Sequence, residues 1–150
     1  MTAIKQLQLS YSAEEDRVLL RVNTSNNEEF RFWLTRHFCG ILSQALQSHR
    51  ASDPDVATQP TEVARQVVQS FKRDAANSTG NFKDDFTESE TFPLGDAPML
   101  AFKLSYRIEN ESLHLSIVPK SGSGINLVLN SDLNFNVSKL LRGAVAKADW

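Results

Sequence analysis

Few residues of this chain have types that could do chemistry. His37 and Cys39 stand two positions apart on an expected helix, so they point to different faces, and His49 and His114 add no zinc-ligand spacing. Lys120–Gly124 looks like a phosphate-binding loop, but it joins two expected strands and no helix follows it. No serine, histidine and carboxylate have the spacing of a nucleophile elbow or a proton relay. We therefore expect no metal, no cofactor and no enzyme, while a triad assembled across the fold stays open.

A second set of side chains could bind a partner rather than react. Alternation along the expected strands places four cations, one histidine and one indole opposite the core face. Guanidinium groups that follow phosphates and an indole that stacks on a base are one way to hold single-stranded DNA or RNA. The same residue types are enriched at protein interfaces and in cross-strand pairs. We expect a protein partner or self-association first, with nucleic acid as the alternative, through Arg21, Arg31, Trp33, Lys103, Arg107 and His114.

An internal repeat predicts the elements that position these side chains. The tripeptide Leu9–Tyr11 recurs 95 positions later as Leu104–Tyr106. Nine apolar residues that alternate with polar ones in the first half all have an apolar residue 95 positions later. Alternation of this kind predicts three strands in each half, each with one face toward the core. The nine are Leu7, Leu9, Tyr11, Val18, Leu20, Val22, Phe30, Phe32 and Leu34.

Each expected third strand runs into a helical pattern. The apolar spacing changes from two to about 3.6 residues, after Thr35 in the first half and after Asn130 or Ser131 in the second, which are favoured N-cap residues. The sequence therefore predicts an α+β fold with a duplicated strand-strand-strand-helix (βββα) unit at 4–50 and 99–150. Antiparallel strands with helices on one face are expected. One continuous sheet and two packed sheets are both left open, and an exposed sheet edge would suit a homodimer.

The connector, residues 51–98, divides into two parts. A helix at 60–76 is expected, with Val63, Val67 and Phe71 on one face that packs on the core. The acidic stretch at 77–98 is expected to be a mobile or loosely docked loop. One further hypothesis is that its acids fold back over the arginines and lysine of the outer face as a competing polyanion. Those acids are Asp84, Asp85, Glu88, Glu90 and Asp96.

Composition sets the remaining expectations. The 150 residues suit one domain, and 41% hydrophobic with 23% charged residues is a globular mixture. A net charge of −2 argues against a uniformly basic nucleic-acid protein but leaves room for a local basic patch. The lone Cys39 is expected to be a buried thiol. With no signal-like or membrane-length apolar run, we expect a cytoplasmic protein without a membrane partner.

Two resemblances add to these expectations. The segments 19–25, LLRVNTS, and 29–36, EFRFWLTR, resemble an uncharacterised family of small bacterial proteins, which implies no activity. The duplicated strand-and-helix architecture resembles that of the Whirly and Pur-alpha single-strand binders, where a curved sheet faces nucleic acid. Those units have four strands per helix, and this chain shows three. The resemblance implies single-stranded DNA or RNA as a ligand at the level of fold alone.

Overall fold

In the computed structural model, the protein is an α+β fold with a mixed six-stranded sheet and four helices over residues 4–79 and 86–150, the part of the chain that the structure describes. Within helix residues 73–79 only the backbone is described. The elements in chain order are β1 (Ile4–Ser12), β2 (Arg17–Thr24), β3 (Glu29–Leu34), α1 (Arg36–Ala51), α2 (Pro54–Ala57), α3 (Glu62–Thr79), β4 (Met99–Glu109), β5 (Ser112–Pro119), β6 (Ile125–Leu129) and α4 (Ser131–Ala148).

The six strands lie side by side in chain order. Neighbouring strands are antiparallel except β3 and β4, which are parallel and pair only through Phe32 with Met99 and Trp33 with Leu100. The expectation of a wholly antiparallel sheet is therefore wrong at this junction. Parallel neighbours need a crossover connection, and the helices between β3 and β4 provide one.

The pairing registers of the two halves can be compared directly. Residues of β2 and β3 have the same pairing partners as the residues 95 positions later in β5 and β6. Residues of β1 instead correspond to residues of β4 that lie 97 positions later. The expected uniform spacing of 95 is therefore wrong for the first strand. The turn between β1 and β2 has four residues, 13–16, whereas the turn between β4 and β5 has two, Asn110 and Glu111, both with positive φ. This difference of two residues accounts for the change in spacing from 95 to 97. Both hairpins carry an irregularity at the equivalent place. The defining pairs are Val18 with Leu34, Leu113 with Leu129, Leu7 with Val22, and Leu104 with Ile117.

The core lies between the inner sheet face and helices α1 and α4. As expected, the side chain of Thr35 accepts a hydrogen bond from the Phe38 amide at the start of α1, and Asn130 does the same for Leu133 at the start of α4. Helix α4 lies against β1 and helix α1 against β4, so each helix covers the first strand of the other half. The largest fully buried apolar side chains are Phe32, Leu34, Leu46, Leu113, Ile117 and Leu129.

The connector helix is rotated away from its expected orientation. Val63, Val67 and Phe71 are 71%, 62% and 74% exposed, so the expectation that they pack on the core is wrong. Helix α3 instead contacts α2 and α4 with its other face. The Lys72 ammonium of α3 lies 2.6 Å from Asp53 Oδ2 and 2.9 Å from Asp55 Oδ2 in this orientation. The three residues form an exposed row that we call the α3 apolar stripe.

Candidate binding surfaces

A buried carboxylate lies beneath two arginines on the outer face of the first half. Glu29, at the start of β3, is fully buried, and its Oε2 accepts from Arg31 Nε at 2.6 Å and from Arg21 Nε at 3.2 Å. Arg21 and Arg31 stand directly opposite each other in the β2–β3 register. Like charges in that position repel each other, so the carboxylate between them is what allows the pair.

A segment of the connector covers this cluster. Residues 86–98, which we call the arm, run over the outer face of the first half. The amide of Ser89 donates to Glu29 Oε1 at 3.1 Å, and the Glu29 amide donates to the Thr91 carbonyl at 2.8 Å. Further along, Asn23 donates its amide to the Thr87 carbonyl at 2.9 Å. The arm is therefore hydrogen-bonded to β2 and β3.

Both guanidinium groups are also occupied by the arm. The Arg21 guanidinium lies 4.2 Å from the centre of the Phe86 ring, and that of Arg31 lies 4.8 Å from the centre of the Phe92 ring. These distances allow cation–π attraction. Arg31 also donates to Glu88 Oε1 at 2.8 Å. The two arginines are thus engaged by aromatic rings and carboxylates, and their side chains are only 20% and 19% exposed.

The electrostatics of Glu29 depend on these bonds. Burial alone would raise the pKa of Glu29, but hydrogen bonds from Arg31, the Ser89 amide and Arg21 outweigh it, and the pKa lies below its ordinary value. The carboxylate is therefore ionised at neutral pH and neutralises charge inside the cluster.

The structure does not bring the six expected site residues together. Arg21 and Arg31 lie under the arm, and Trp33 is half-buried between Leu19 of β2 and Leu100 of β4. Of the acids named in the polyanion hypothesis, Glu88 contacts Arg31, whereas Arg21 meets the arm through the Phe86 ring. Asp84 and Asp85 lie outside the described residues.

The other three expected site residues lie on the outer face of the second half. Lys103 and Arg107 are exposed, and the half-buried His114 pairs with Arg107 across β4 and β5. Arg107, His114 and their neighbours line a shallow hollow of about 350 Å³. At the position equivalent to Glu29 stands Gly124, where an added Cβ would lie 2.0 Å from the Ile117 carbonyl oxygen. No carboxylate can replace Glu29 there, so the two outer faces differ in chemistry.

Strand β4 has a free edge. Beyond Leu100, no strand in the described ranges pairs with it on the β3 side. Every residue of 105–109 is exposed, where a covered strand would alternate. Tyr106 and Ile108, which face the core side, are 46% and 39% exposed, and Phe102 is 63% exposed. The expectation that Phe102 and Tyr106 are covered by the core is therefore wrong.

The corresponding strand of the first half is covered. Tyr11 of β1 is half-buried and its ring contacts that of Trp150, just after α4, at 6.1 Å between centres. Helix α1 reaches the β4–β5 turn, where His49 contacts the Glu111 carbonyl, but Tyr106 and Ile108 stay exposed. Alternation alone gave no sign of this difference, because it reports the face of a strand and not what covers that face.

A cleft lies between α1 and α4. It has a volume of about 530 Å³, and the buried residues Cys39, Leu46 and Leu141 line it together with Arg36 and Arg142. Burial raises the pKa of Cys39 to about 11, so its thiol is protonated at neutral pH and is a poor nucleophile. The expected burial of Cys39 is confirmed. Sequence reasoning missed the cleft, because its shape depends on how the two helices pack.

The search of known proteins gives no relative to guide a choice among these surfaces. No family model, curated protein or solved structure matches the chain. Among the described residues, no group of three or more histidine, cysteine, aspartate or glutamate side chains could hold a metal ion. No helix in the described ranges is long and apolar enough to cross a membrane.

Proposed function

We propose that this protein is a non-enzymatic binding module that self-associates through the free edge of β4. The observation that supports this proposal is the run of exposed residues at 105–109, with Tyr106 and Ile108 exposed on the core side. An unpaired strand edge is a template for another strand, and an apolar side chain there gains from being covered. The proposal moves the interface from the outer sheet face to the edge of the same sheet.

The charges of β4 favour a second copy as the partner. In an antiparallel pair centred on Tyr106, Lys103 of each chain would stand opposite Glu109 of the other. Lys103 and Glu109 share a face, because odd-numbered residues of β4 beyond the bulge point outward. A twofold axis repeats this ion pair, so one register gives two opposite-charge contacts. Ile108 would stand opposite Leu104 on the apolar side.

We expect Lys103→Glu and Glu109→Lys each to weaken dimerisation about tenfold, because each places two like-charge pairs across the interface. The double variant that carries both changes should restore dimerisation, since the charges are again complementary. Sedimentation equilibrium over a range of protein concentrations measures the dissociation constant of each form.

Lys120→Glu is the matched control, because Lys120 is an exposed lysine in the β5–β6 turn, outside β4. It should leave dimerisation unchanged. A wild-type chain that stays monomeric at high concentration would refute the proposal. Dimers that ignore the β4 changes but dissociate with Phe71→Glu would place the interface on the α3 apolar stripe instead.

Single-stranded nucleic acid is the second candidate function. What favours it is the outer face of the second half, where Lys103 and Arg107 are exposed beside His114. Arg107 also pairs with the exposed Glu109 at 2.9 Å. Binding there would rest on phosphate contacts and would weaken steeply with salt. A protein interface through β4 would depend far less on salt.

For this candidate, Lys103→Ala and Arg107→Ala should each reduce affinity for a labelled dT20 or rU20 strand several-fold at low salt. Arg31→Ala removes a cation that lies under the arm and is paired with the buried Glu29, so it should change affinity little after correction for stability. Fluorescence anisotropy at two salt concentrations measures this. No binding at low salt, or equal loss from all three variants, would remove this candidate.

We also propose that the two halves are copies of one βββα unit. The equivalent registers of β2–β3 and β5–β6, the irregularity shared by both hairpins and the matching caps Thr35 and Asn130 support this. The loss of two turn residues accounts for the altered offset of the first strand.

A further inference from the structure

The shallow hollow on the outer face of the second half is lined by polar side chains from three neighbouring strands. Ser105 of β4, Ser116 of β5 and Asn126 of β6 stand opposite one another and form one row across the sheet. Arg107 and His114 belong to the next row. The three residues of the first row are short, which leaves the hollow of about 350 Å³ between the taller side chains around them.

The equivalent row of the first half is filled by longer side chains. It consists of Gln8, Arg21 and Arg31, which pair in the same way across β1, β2 and β3. Both arginines bond to the carboxylate of Glu29, so the first half supplies its own anion at this place. The second half has Gly124 at the position of Glu29 and therefore supplies no carboxylate there.

The hydrogen-bonding groups around the hollow are not used within the protein. Among the described contacts, the side chains of Ser105, Ser116, Asn126 and His114 make no hydrogen bond or ion pair. Two hydroxyls, a carboxamide and an imidazole can each donate. No aspartate or glutamate is among the described residues that line the hollow. A ligand rich in acceptors would therefore meet four donors and no lining carboxylate.

The charge beside the hollow is positive. Lys103 lies two positions before Ser105 on the same face of β4, is exposed and makes no ion pair with a described residue. The flexible stem of a lysine lets its ammonium reach a neighbouring site. Arg107 pairs with Glu109, and because their side chains are 69% and 54% exposed, this pair is weak and has no net charge. Lys103 thus supplies the net charge, which suits an anion.

We propose that this hollow binds a phosphate monoester, carried by a small molecule or by the 5′ end of a nucleic-acid strand. A phosphate group offers three acceptor oxygens and a carboxylate two, so the phosphate better matches donors from three strands. A volume of about 350 Å³ lies within the range of small-molecule sites and leaves room for the group that carries the phosphate. For a strand end, this inference rests on the second candidate function and names the part of the strand that is bound.

Recognition of the phosphate is tested by comparing ribose 5-phosphate with ribose. Isothermal titration calorimetry should show saturable binding of ribose 5-phosphate, at least about tenfold tighter than that of ribose. NMR amide shifts on titration should change at Ser105, Ser116 and Asn126. Equal binding of the two sugars, or shifts confined to the first half, would overturn the proposal.

Two matched pairs of variants test the assignment to the hollow, in about 0.1 M salt, where charges more than about 10 Å apart are largely screened. Asn126→Asp places a carboxylate in the hollow at nearly unchanged volume and should weaken ribose 5-phosphate binding about tenfold. Asn130→Asp makes the same charge change about 13 Å along the chain, outside the hollow, where aspartate also caps α4, and should change affinity less than about twofold.

The second pair removes a hydroxyl. Ser116→Ala should weaken binding several-fold, whereas Ser112→Ala, on the same face of β5 but outside the hollow, should not. Equal affinities within both pairs would refute the assignment to this hollow.

A strand with and without a terminal phosphate distinguishes the two sources. 3′-labelled dT20 that carries a 5′ phosphate should bind more tightly than dT20 without it, and Asn126→Asp should remove the difference. Equal binding of both strands, with no binding of ribose 5-phosphate, would overturn this inference and leave the second candidate function standing. Binding of ribose 5-phosphate with no binding of either strand would identify a small molecule as the source and remove the nucleic-acid function alone.

Discussion

Replacing Glu29 by glutamine is expected to lower the free energy of unfolding by about 3 kcal/mol, because it removes the charge that holds two arginines together. The amide keeps the volume of the carboxylate, so packing changes little. Arg21 and Arg31 would then face each other across β2 and β3 with no ion between them. Urea unfolding followed by circular dichroism measures the loss.

The neighbouring residue gives a matched control for this change. Glu28 is half-buried, and no side-chain hydrogen bond or ion pair of it is found among the described contacts. Glu28→Gln should therefore alter stability by less than about 0.5 kcal/mol. Similar losses from both variants would contradict the role assigned to Glu29. Loosening of the arm should also speed chymotrypsin cleavage after Phe86 in Glu29→Gln and not in Glu28→Gln.

The pKa of Glu29 determines how this difference depends on pH. The pKa is lowered in the folded protein, so the unfolded chain takes up a proton first as the pH falls. The contribution of Glu29 to stability is complete above its ordinary pKa of about 4.3 and is lost as the pH falls through the lower folded value. The gap in stability between wild type and Glu29→Gln should therefore stay constant from pH 7 to about pH 5 and narrow below that.

The parts of the fold that depend on local pattern could be predicted from the sequence. Alternation marked the strands, and the side chains of Thr35 and Asn130 cap the helices as expected. The parallel pairing of β3 with β4 could not be predicted from the sequence. It depends on how the two halves of the sheet pack together and not on the alternation of apolar residues within either half. The orientation of α3 was mispredicted because apolar periodicity identifies one face of a helix and not the neighbours that the helix packs on, which are α2 and α4.

A signal for the Glu29 cluster was present in the sequence. A β2–β3 hairpin with Val18 opposite Leu34 places Arg21 opposite Arg31, and two facing cations call for a carboxylate nearby. Glu29 lies two residues before Arg31 and so shares its face. The arm over this cluster was harder to predict. Its acidic residues are visible in the sequence, but the contacts of Phe86 and Phe92 with the arginines depend on the tertiary structure.

A buried amide joins helices α1 and α4, and its loss should also have a large effect. Asn134 is fully buried and donates to the Leu46 carbonyl at 3.0 Å and to His49 Nδ1 at 2.7 Å. His49 Nε2 lies 2.9 Å from the Glu111 carbonyl, which can only accept, so the ring proton lies on Nε2 and Nδ1 is free to accept from Asn134. One side chain therefore links α4, α1 and, through His49, the β4–β5 turn.

Asn134→Ala is expected to cost about 3 kcal/mol, because it leaves the buried His49 ring nitrogen without its donor and removes the hydrogen bond from α4 to the Leu46 carbonyl. Asn136→Ala is the control on the same helix, since Asn136 is also buried but donates to the Asp132 carbonyl of its own helix. That change should cost about 1 kcal/mol or less. Thermal and urea unfolding of both variants measure the difference.

Equal losses from the two variants would show that the link between the helices contributes nothing beyond ordinary burial. A larger loss from Asn134→Ala would show that the hydrogen bonds between the two helices stabilise the fold, because Asn134 also accepts from Arg50 of α1 at 3.1 Å, whereas Asn136 bonds within its own helix.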